Sequence, residues 1–254
     1  MKICNLASGS EGNVTYVETD KHKILFDAGT TVKYIKDKLS ELSVSIADIE
    51  YIFITHVHND HIKALKNFIN KYSPTVCVSP KMFSEMPEIQ QYEKVLLYED
   101  VVYLDDDKIE IIKTSHDTSD SRSFILKSND KSMVYLTDTG YINGKYFKKL
   151  KNLNVYLFES NHDIEMLING PYPKWLKDRV IGDYGHLSNK DSSIYLSKLI
   201  GPDTQYVLLT HLSEKNNTEK KALDTFKKTL KEYEINFKRI KCAKQREKSD
   251  LIEI

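Results

Sequence analysis

The chain has 254 residues, with 37 basic and 37 acidic side chains and a hydrophobic fraction of 40%. This composition is typical of a globular protein of one or two domains, and it excludes a wholly disordered chain. The formal net charge of +0 excludes a generally basic nucleic-acid coat protein, although a local basic face remains open. No apolar run reaches the roughly 18 residues of a membrane span, and no signal peptide is recognised, so we expect a cytoplasmic protein.

Short apolar runs typical of β-strands dominate the chain, and segments of helical periodicity lie between them. The predicted strands are 23–26, 51–54, 75–78, 101–104, 108–113, 123–126, 133–136, 155–158 and 206–209. Helices are predicted over 32–42 and 223–233, and residues 188–191 form a capping box for a helix that ends at Ile200. Residues 237–248 are expected to form a strand followed by a solvated loop, and residues 251–254 an edge strand. The mixture predicts α/β layers, and since no linker divides residues 1–254, we expect a single domain.

The densest group of ligand-type side chains lies in residues 55–61, directly after a predicted buried strand. In an extended segment His56 and His58 point to the same side, so they can bind one ion together. A helix that begins near Asp60 would direct Asp60 and His61 at a second position. Four ligand-type side chains in six residues therefore predict a pair of metal ions rather than a single one.

Further ligand-type residues follow predicted strands, where chain ends gather on one rim of a sheet: His116, Asp138 and His211. Each alone is equally well explained as a hydrogen-bonded rim residue. With the first cluster they supply seven ligands, enough for two ions with a shared carboxylate. Imidazole and carboxylate groups without thiolate suit zinc, iron or manganese. The three cysteines lie far apart and lack Cys-x-x-Cys spacing, which argues against a thiolate zinc site or a disulfide framework.

The motif His-x-His-x-Asp-His, followed by His116, Asp138 and His211 in that order, resembles the metallo-β-lactamase superfamily. The resemblance implies an αββα sandwich of two mixed sheets flanked by helices, with the metals at one edge of the sheets. It implies a first metal on His56, His58 and His116, a second on Asp60, His61 and His211, and Asp138 as the bridge. An aspartate at position 138 resembles the two-metal hydrolases and nucleases and differs from the true β-lactamases.

Residues 7–13, 157–163, 169–177 and 182–188 are similar to the YycJ/VicX (WalJ) family, which is associated with exonuclease action on DNA ends. The resemblance implies a dinuclear phosphodiesterase, namely a DNA exonuclease of 5′-to-3′ polarity that acts through a hydroxide bridging two divalent metals. Glu159 and His186 are similar to a pair in tRNase Z that assists departure of the leaving oxygen. We therefore predict catalytic roles for Asp60, Glu159 and His186: Asp60 accepts the proton of water, and His186, positioned by Glu159, donates a proton to the leaving oxygen or holds a non-bridging one. Hydrogen bonding at turns is the alternative for Glu159 and His186.

Candidate substrate contacts are His162 and His186, which could touch phosphate, and Ser10, whose loop could offer backbone amides to a phosphate. Asp27 is expected to support the metal loop by hydrogen bonds rather than to bind metal, and His22 is expected to be exposed in a hairpin turn. The metal residues alone do not identify the substrate.

Local basic patches would have to hold a polyanion, because the chain is neutral as a whole. Lysines lie at 145, 148, 149 and 151, and a second basic group lies at 174, 177 and 179. A solvated helix face explains the first group at least as well. Tyr172 and Trp175 could stack on a terminal base, although core packing explains Trp175 equally well.

Two other functions remain open. The chain could instead hydrolyse a small phosphodiester, a thioester or a lactone, because enzymes of those classes share the His-x-His-x-Asp-His motif. It could also be a metal-bound regulatory protein with little turnover, although an intact set of seven ligands disfavours this. DNA is the predicted partner, and neither a membrane nor an obligate protein partner is predicted.

Overall fold

The computed structural model describes residues 1–254 and contains two seven-stranded sheets. The strands are β1 (Lys2–Ala7), β2 (Val14–Glu18), β3 (Lys23–Phe26), β4 (Tyr51–Phe53), β5 (Thr75–Val78), β6 (Val95–Leu97), β7 (Val101–Leu104), β8 (Asp107–Lys113), β9 (Arg122–Ser128), β10 (Lys131–Leu136), β11 (Val155–Glu159), β12 (Tyr206–Thr210), β13 (Ile240–Cys242) and β14 (Ile252–Glu253). The first sheet has the order β14-β1-β2-β3-β4-β5-β6, and the second has the order β13-β12-β11-β10-β9-β8-β7. Each sheet is parallel in one half, β3 to β6 or β10 to β13, and antiparallel in the other. Both sheets are therefore mixed, as predicted.

Helices cover the outer face of each sheet. They are α1 (Val32–Ser40), α2 (Asn59–Ile62), α3 (Leu65–Tyr72), α4 (Pro80–Glu85), α5 (Phe147–Leu150), α6 (Ile164–Asn169), α7 (Lys174–Ile181), α8 (Asn189–Leu199) and α9 (Glu219–Glu232). Buried side chains of α1, α3 and α4 join the larger core with the first sheet, whereas those of α8 and α9 pack in a second core against the second sheet. The predicted αββα sandwich is confirmed. No helix has both the length and the apolar character that a membrane crossing requires.

The strands of the second sheet alternate between two buried surfaces. In β9, Phe124 and Leu126 belong to the core between the sheets, while Ile125 belongs to the core beneath the helices. The ring of Phe26 in the first sheet lies 5.3 Å from that of Phe124 and 5.7 Å from that of Tyr135. Stacked aromatic rings thus join the two sheets directly below the edge that carries the histidines.

All nine strands predicted from apolar runs have counterparts, and so have the edge strand at the C-terminal end and the three helices. Ser188 caps α8 as expected, because its hydroxyl accepts a hydrogen bond from the Asp191 amide at 3.0 Å. The helix expected near Asp60 is split into α2 and α3. The strands β1, β2 and β6 were not predicted.

The expected exposure of His22 is wrong. It lies in the turn between β2 and β3, but only 8% of its surface is exposed. Its ring nitrogens lie 3.1 Å from Glu50 Oε2 and 3.3 Å from Asp105 Oδ2. Two neighbouring carboxylates therefore cover this ring, which has no part in the cluster of histidines described below.

Candidate metal centre

The predicted ligands meet where parallel strands of both sheets end. His56 follows β4 in the first sheet, whereas Asp138 and His211 follow β10 and β12 in the second. The carboxyl ends of parallel strands commonly gather functional side chains at one edge of a sheet. Here the edges of two packed sheets coincide, so residues distant in the chain come together.

The first group consists of His56, His58 and His116, whose ligand-type nitrogens all lie within 4.8 Å of one another. His56 Nε2 lies 3.0 Å from His58 Nδ1. The two rings converge as predicted, although the loop between β4 and α2 bends rather than continuing as an extended strand. The other nitrogen of His116 faces the carbonyl oxygen of Gly185 at 3.2 Å, which leaves Nε2 for the centre.

The second group consists of Asp60, His61 and His211. His61 Nε2 lies 3.5 Å from Asp60 Oδ2, and His211 Nε2 lies 4.0 Å from the same oxygen. Asp138 stands between the two groups, because its Oδ2 is 3.2 Å from His61 Nε2 and its Oδ1 is 3.9 Å from His116 Nε2. The structure therefore brings all seven predicted ligands into one cluster, with the carboxylate of Asp138 in the bridging position.

Asp27 supports this cluster from below, as expected. Its carboxylate is fully buried and accepts hydrogen bonds from the Thr55 amide at 2.8 Å and from the Tyr135 hydroxyl at 3.1 Å. It also lies 2.7 Å from His61 Nδ1, so that His61 Nε2 carries the lone pair that faces the cluster. Such a carboxylate fixes both the tautomer and the ring orientation of a metal-binding histidine.

Three of the strand-end residues have left-handed backbone conformations. The φ angles are 62° at Asp27, 52° at Asp138 and 57° at His211. Aspartate and histidine adopt this conformation more readily than most residues, yet it costs free energy and is concentrated at functional sites. In each case the unusual turn comes one or two residues after a strand ends.

The buried, ionised carboxylates of the cluster stabilise positive charge on the groups around them. Burial would lower the pKa of His211, but the charges of Asp138 and Glu159 and a hydrogen bond to Glu159 raise it to about 9. Burial would likewise raise the pKa of Asp138, but His211 and His61 hold it well below its ordinary value. Buried carboxylates that stay ionised among imidazoles form the donor set that divalent cations require, so these residues fit a metal pair.

Glu159 adjoins the seven predicted ligands, because its carboxylate lies within 4.8 Å of ligand-type atoms of Asp138, His186 and His211. It is fully buried, and its Oε1 lies 2.8 Å from His186 Nδ1 and 3.0 Å from His211 Nδ1. Burial would raise the pKa of Glu159, but the charge and hydrogen bond of His186 lower it to about 2. The contact with His186 is the one expected of a carboxylate that positions this histidine, and the contact with His211 was not predicted. Because Glu159 is fully buried, it acts through these two histidines rather than on a substrate.

His186 and Ser10, by contrast, both line a cavity of about 470 Å³ above the cluster, and their contact with substrate stays a prediction. With Nδ1 of His186 held by Glu159, its Nε2 is the nitrogen left for a substrate. The amides of Ser10 and Glu11 donate no hydrogen bond within the chain, whereas those of Gly9, Gly12 and Asn13 do. The loop thus has two amides without a partner in the chain, which is what the predicted phosphate contact requires.

The predicted substrate contact of His162 is wrong. The residue is 1% exposed and does not line the cavity, because it pairs with Ser188 in an isolated β-bridge that turns it inward. Burial and the nearby charge of His186 lower the pKa of His162 to about 4, so it is neutral at physiological pH. Neither ring nitrogen has a hydrogen-bond partner.

Some residues around the cluster and the cavity were missed or only partly predicted. Asn13 reaches Asp60 Oδ2 at 3.3 Å, a contact that no sequence pattern indicated. Tyr172 lines the cavity, with Lys215 Nζ lying 5.9 Å from the centre of its ring. Trp175 is 66% exposed and lies outside the cavity, so neither core packing nor a place in the cavity describes it.

The family model described as the metallo-beta-lactamase superfamily matches residues 8–211 of this chain. The chain belongs to the metallo-beta-lactamase superfamily. A similar curated protein is exodeoxyribonuclease YycJ of Bacillus anthracis, 34% identical over 234 residues, which are 89% of this chain and 88% of the relative. Exodeoxyribonuclease WalJ of Streptococcus pneumoniae strain D39 is 36% identical over 228 residues, which are 87% of this chain and 85% of the relative. Members of this superfamily bind divalent metals.

Among solved structures, the metallo-beta-lactamase fold protein YhfI of Bacillus subtilis superimposes with a TM-score of 0.71. The match covers 98% of both chains at 16% sequence identity. This likeness supports the fold of the present chain. The substrate has to be argued from the site and from the more similar relatives.

Proposed function

We propose that this chain is a dinuclear metal-dependent DNA exonuclease. The observation that carries the proposal is the convergence of seven ligand-type side chains, in two groups joined by Asp138, beneath a cavity with free amide donors. In this proposal His56, His58 and His116 hold one ion, Asp60, His61 and His211 hold the second, and Asp138 bridges them. The exodeoxyribonuclease names of relatives at 34% and 36% identity support DNA as the substrate.

When bound, a pair of divalent ions polarises a phosphodiester and lowers the pKa of water to about 7. The chain's own residues supply the rest of the machinery. The Ser10 and Glu11 amides bind an oxygen of the phosphate, and the carboxylate of Asp60 accepts the proton of the attacking water. His186, held through Nδ1 by Glu159, donates a proton from Nε2 to the leaving oxygen.

Degradation of end-labelled duplex DNA by purified protein with manganese or zinc tests this proposal. We expect loss of labelled duplex with the native chain and none with Asp60→Ala or His61→Ala. Asp106→Ala is the matched control, because it removes an exposed carboxylate from a hairpin outside the cavity. Labelling one end at a time tests the 5′-to-3′ polarity.

The same preparation distinguishes the alternatives. Turnover of bis(p-nitrophenyl) phosphate, a thioester or a lactone with DNA left intact would contradict the proposal and favour a small-molecule hydrolase. Full metal occupancy with no turnover of any of these substrates would favour a regulatory protein. Metal analysis of the purified protein tests the number of ions and their identity as zinc, manganese or iron. The cytoplasmic location and the lack of an obligate partner stay predictions.

A further inference from the structure

A second cavity of about 310 Å³ adjoins the one above the metal centre, and both cavities are lined by His116. Its walls come from the loop that follows β8, the loop that follows Asp138, and the loop that carries His186. We call it the lysine–tyrosine groove, after Lys113, Lys145, Tyr141, Tyr146 and Tyr184. None of these five residues belongs to the candidate metal centre.

Charge distinguishes the groove from the first cavity. Lys113 and Lys145 are exposed, and neither forms an ion pair. The one carboxylate in the groove, Asp120, is 4% exposed and already binds Arg122 and Ser79. The first cavity also has a lysine, Lys215, but Arg179 there is paired with Asp117, and Glu214 and the carboxylates of Asp60 and Asp138 face the same space. The groove is therefore the more cationic side of the centre, although the whole chain is neutral.

Aromatic side chains accompany these cations. Tyr184 is 67% exposed and Tyr141 is 42% exposed. The two loops that bear them pack closely, because a side chain at Gly140 would lie 2.2 Å from the carbonyl oxygen of Asp183. Free lysines interleaved with exposed tyrosine rings are the features with which proteins bind single-stranded nucleic acid, through phosphates and stacked bases.

We infer that the lysine–tyrosine groove binds the strand beyond the scissile phosphate, with Lys113 and Lys145 on successive phosphates and Tyr184 stacked on a base. The inference rests on the proposed nuclease function and assigns the path of the substrate. The groove, rather than the metal centre, then gives the protein its preference for a polymer over a small diester.

The test compares Lys113→Gln/Lys145→Gln with the native chain on two substrates, an oligonucleotide several nucleotides long and bis(p-nitrophenyl) phosphate. Loss of two phosphate contacts to a single strand should reduce the magnitude of the slope of log(kcat/KM) against log[salt] by about 1.4. At about 0.1 M salt, this corresponds to a loss of roughly 25-fold in kcat/KM. Turnover of the small diester should be unchanged. The matched control is Lys227→Gln/Lys228→Gln, which removes two exposed, unpaired lysines from α9.

A second pair of variants tests the stacking contact. Tyr184→Ala should lower kcat/KM for the oligonucleotide by about 5-fold or more, because stacking on one base contributes at least about 1 kcal/mol. Tyr103→Ala is the control, since Tyr103 is 69% exposed on β7 and lies outside both cavities.

An unchanged salt slope in the double lysine variant, or an equal loss on both substrates, would overturn the groove and leave the nuclease proposal standing. If the native chain cleaves the small diester but no oligonucleotide, the nuclease proposal itself fails. The two proposals therefore fail in different ways.

Discussion

Replacing Asp27 with asparagine should weaken metal binding although Asp27 is not a proposed ligand. The Thr55 amide can only donate, so the asparagine oxygen must take the position of Oδ1, 2.8 Å from that amide. The asparagine NH₂ group then faces His61 Nδ1, which lies 2.7 Å from Oδ2 in the native chain. Because two donors cannot pair, His61 must move its proton to Nε2, the nitrogen proposed to bind metal.

The cost of this change can be bounded. Loss of an outer partner of a metal-binding histidine lowers affinity by about 10- to 100-fold, or roughly 1.4–2.7 kcal/mol. We expect that loss for one of the two ions, since Asp27 contacts only His61 among the proposed ligands. Competition with a chromophoric chelator would measure both affinities in the native chain and the variant.

Asp107→Asn provides the control. Asp107 is also a buried aspartate, 3% exposed, but its partner is the Thr19 hydroxyl in a hairpin outside both cavities. It should leave both metal affinities unchanged. Native affinity for both ions in Asp27→Asn, in a protein that melts as the control does, would refute the tautomer argument.

Further predictions concern activity and stability. His186→Ala should lower kcat by about 10²- to 10⁴-fold at unchanged metal content, whereas Glu159→Gln should lower both, because Glu159 also positions His211; retained activity in His186→Ala would contradict its role as proton donor. Phe124→Ala should lower the free energy of unfolding, measured with urea, by about 3–5 kcal/mol, because the Phe124 ring packs between the two sheets. Removal of the ions with a chelator should lower Tm by roughly 8–16 °C, relative to protein in free metal at about 1,000 times the Kd. An unchanged Tm would argue against metal ligation by the buried residues. Burial would raise the pKa of Glu110, but hydrogen bonds from Lys127, Lys149 and Lys108 lower it to about 2. Its contribution to stability is therefore present above about pH 4.5 and lost as pH falls toward 2, so acid unfolding of Glu110→Gln should be less steep over that interval.

The sequence was informative where ligand-type or apolar side chains recur at the spacing of a regular element. His56 and His58 were recognised as one pair because they are two positions apart directly after an apolar run, and the structure places their nitrogens 3.0 Å apart. The apolar runs before Asp138 and His211 were long enough to identify as strands. Because the carboxyl ends of neighbouring parallel strands meet at one edge of a sheet, the residues that follow these strands could be expected to lie close together.

Elsewhere the information lies in tertiary contacts. His162 comes three residues after β11, but its bridge with Ser188 buries it, and nothing in the neighbouring sequence signals that direction. Asn13 contacts Asp60 across 47 positions of sequence, and its residue type has no special spacing. β1 and β2 were missed because their mixture of polar and apolar residues shows no clear period.

The left-handed residues at the ends of β3, β10 and β12 limit how the site can vary in evolution. Valine or isoleucine at Asp27, Asp138 or His211 would clash with its own backbone even if the charge were dispensable. Asparagine and glycine are the replacements that the local conformation accepts. Homologues that have lost hydrolytic activity should therefore still tend to have small or amide side chains at these three positions, because the left-handed backbone conformation continues to require them.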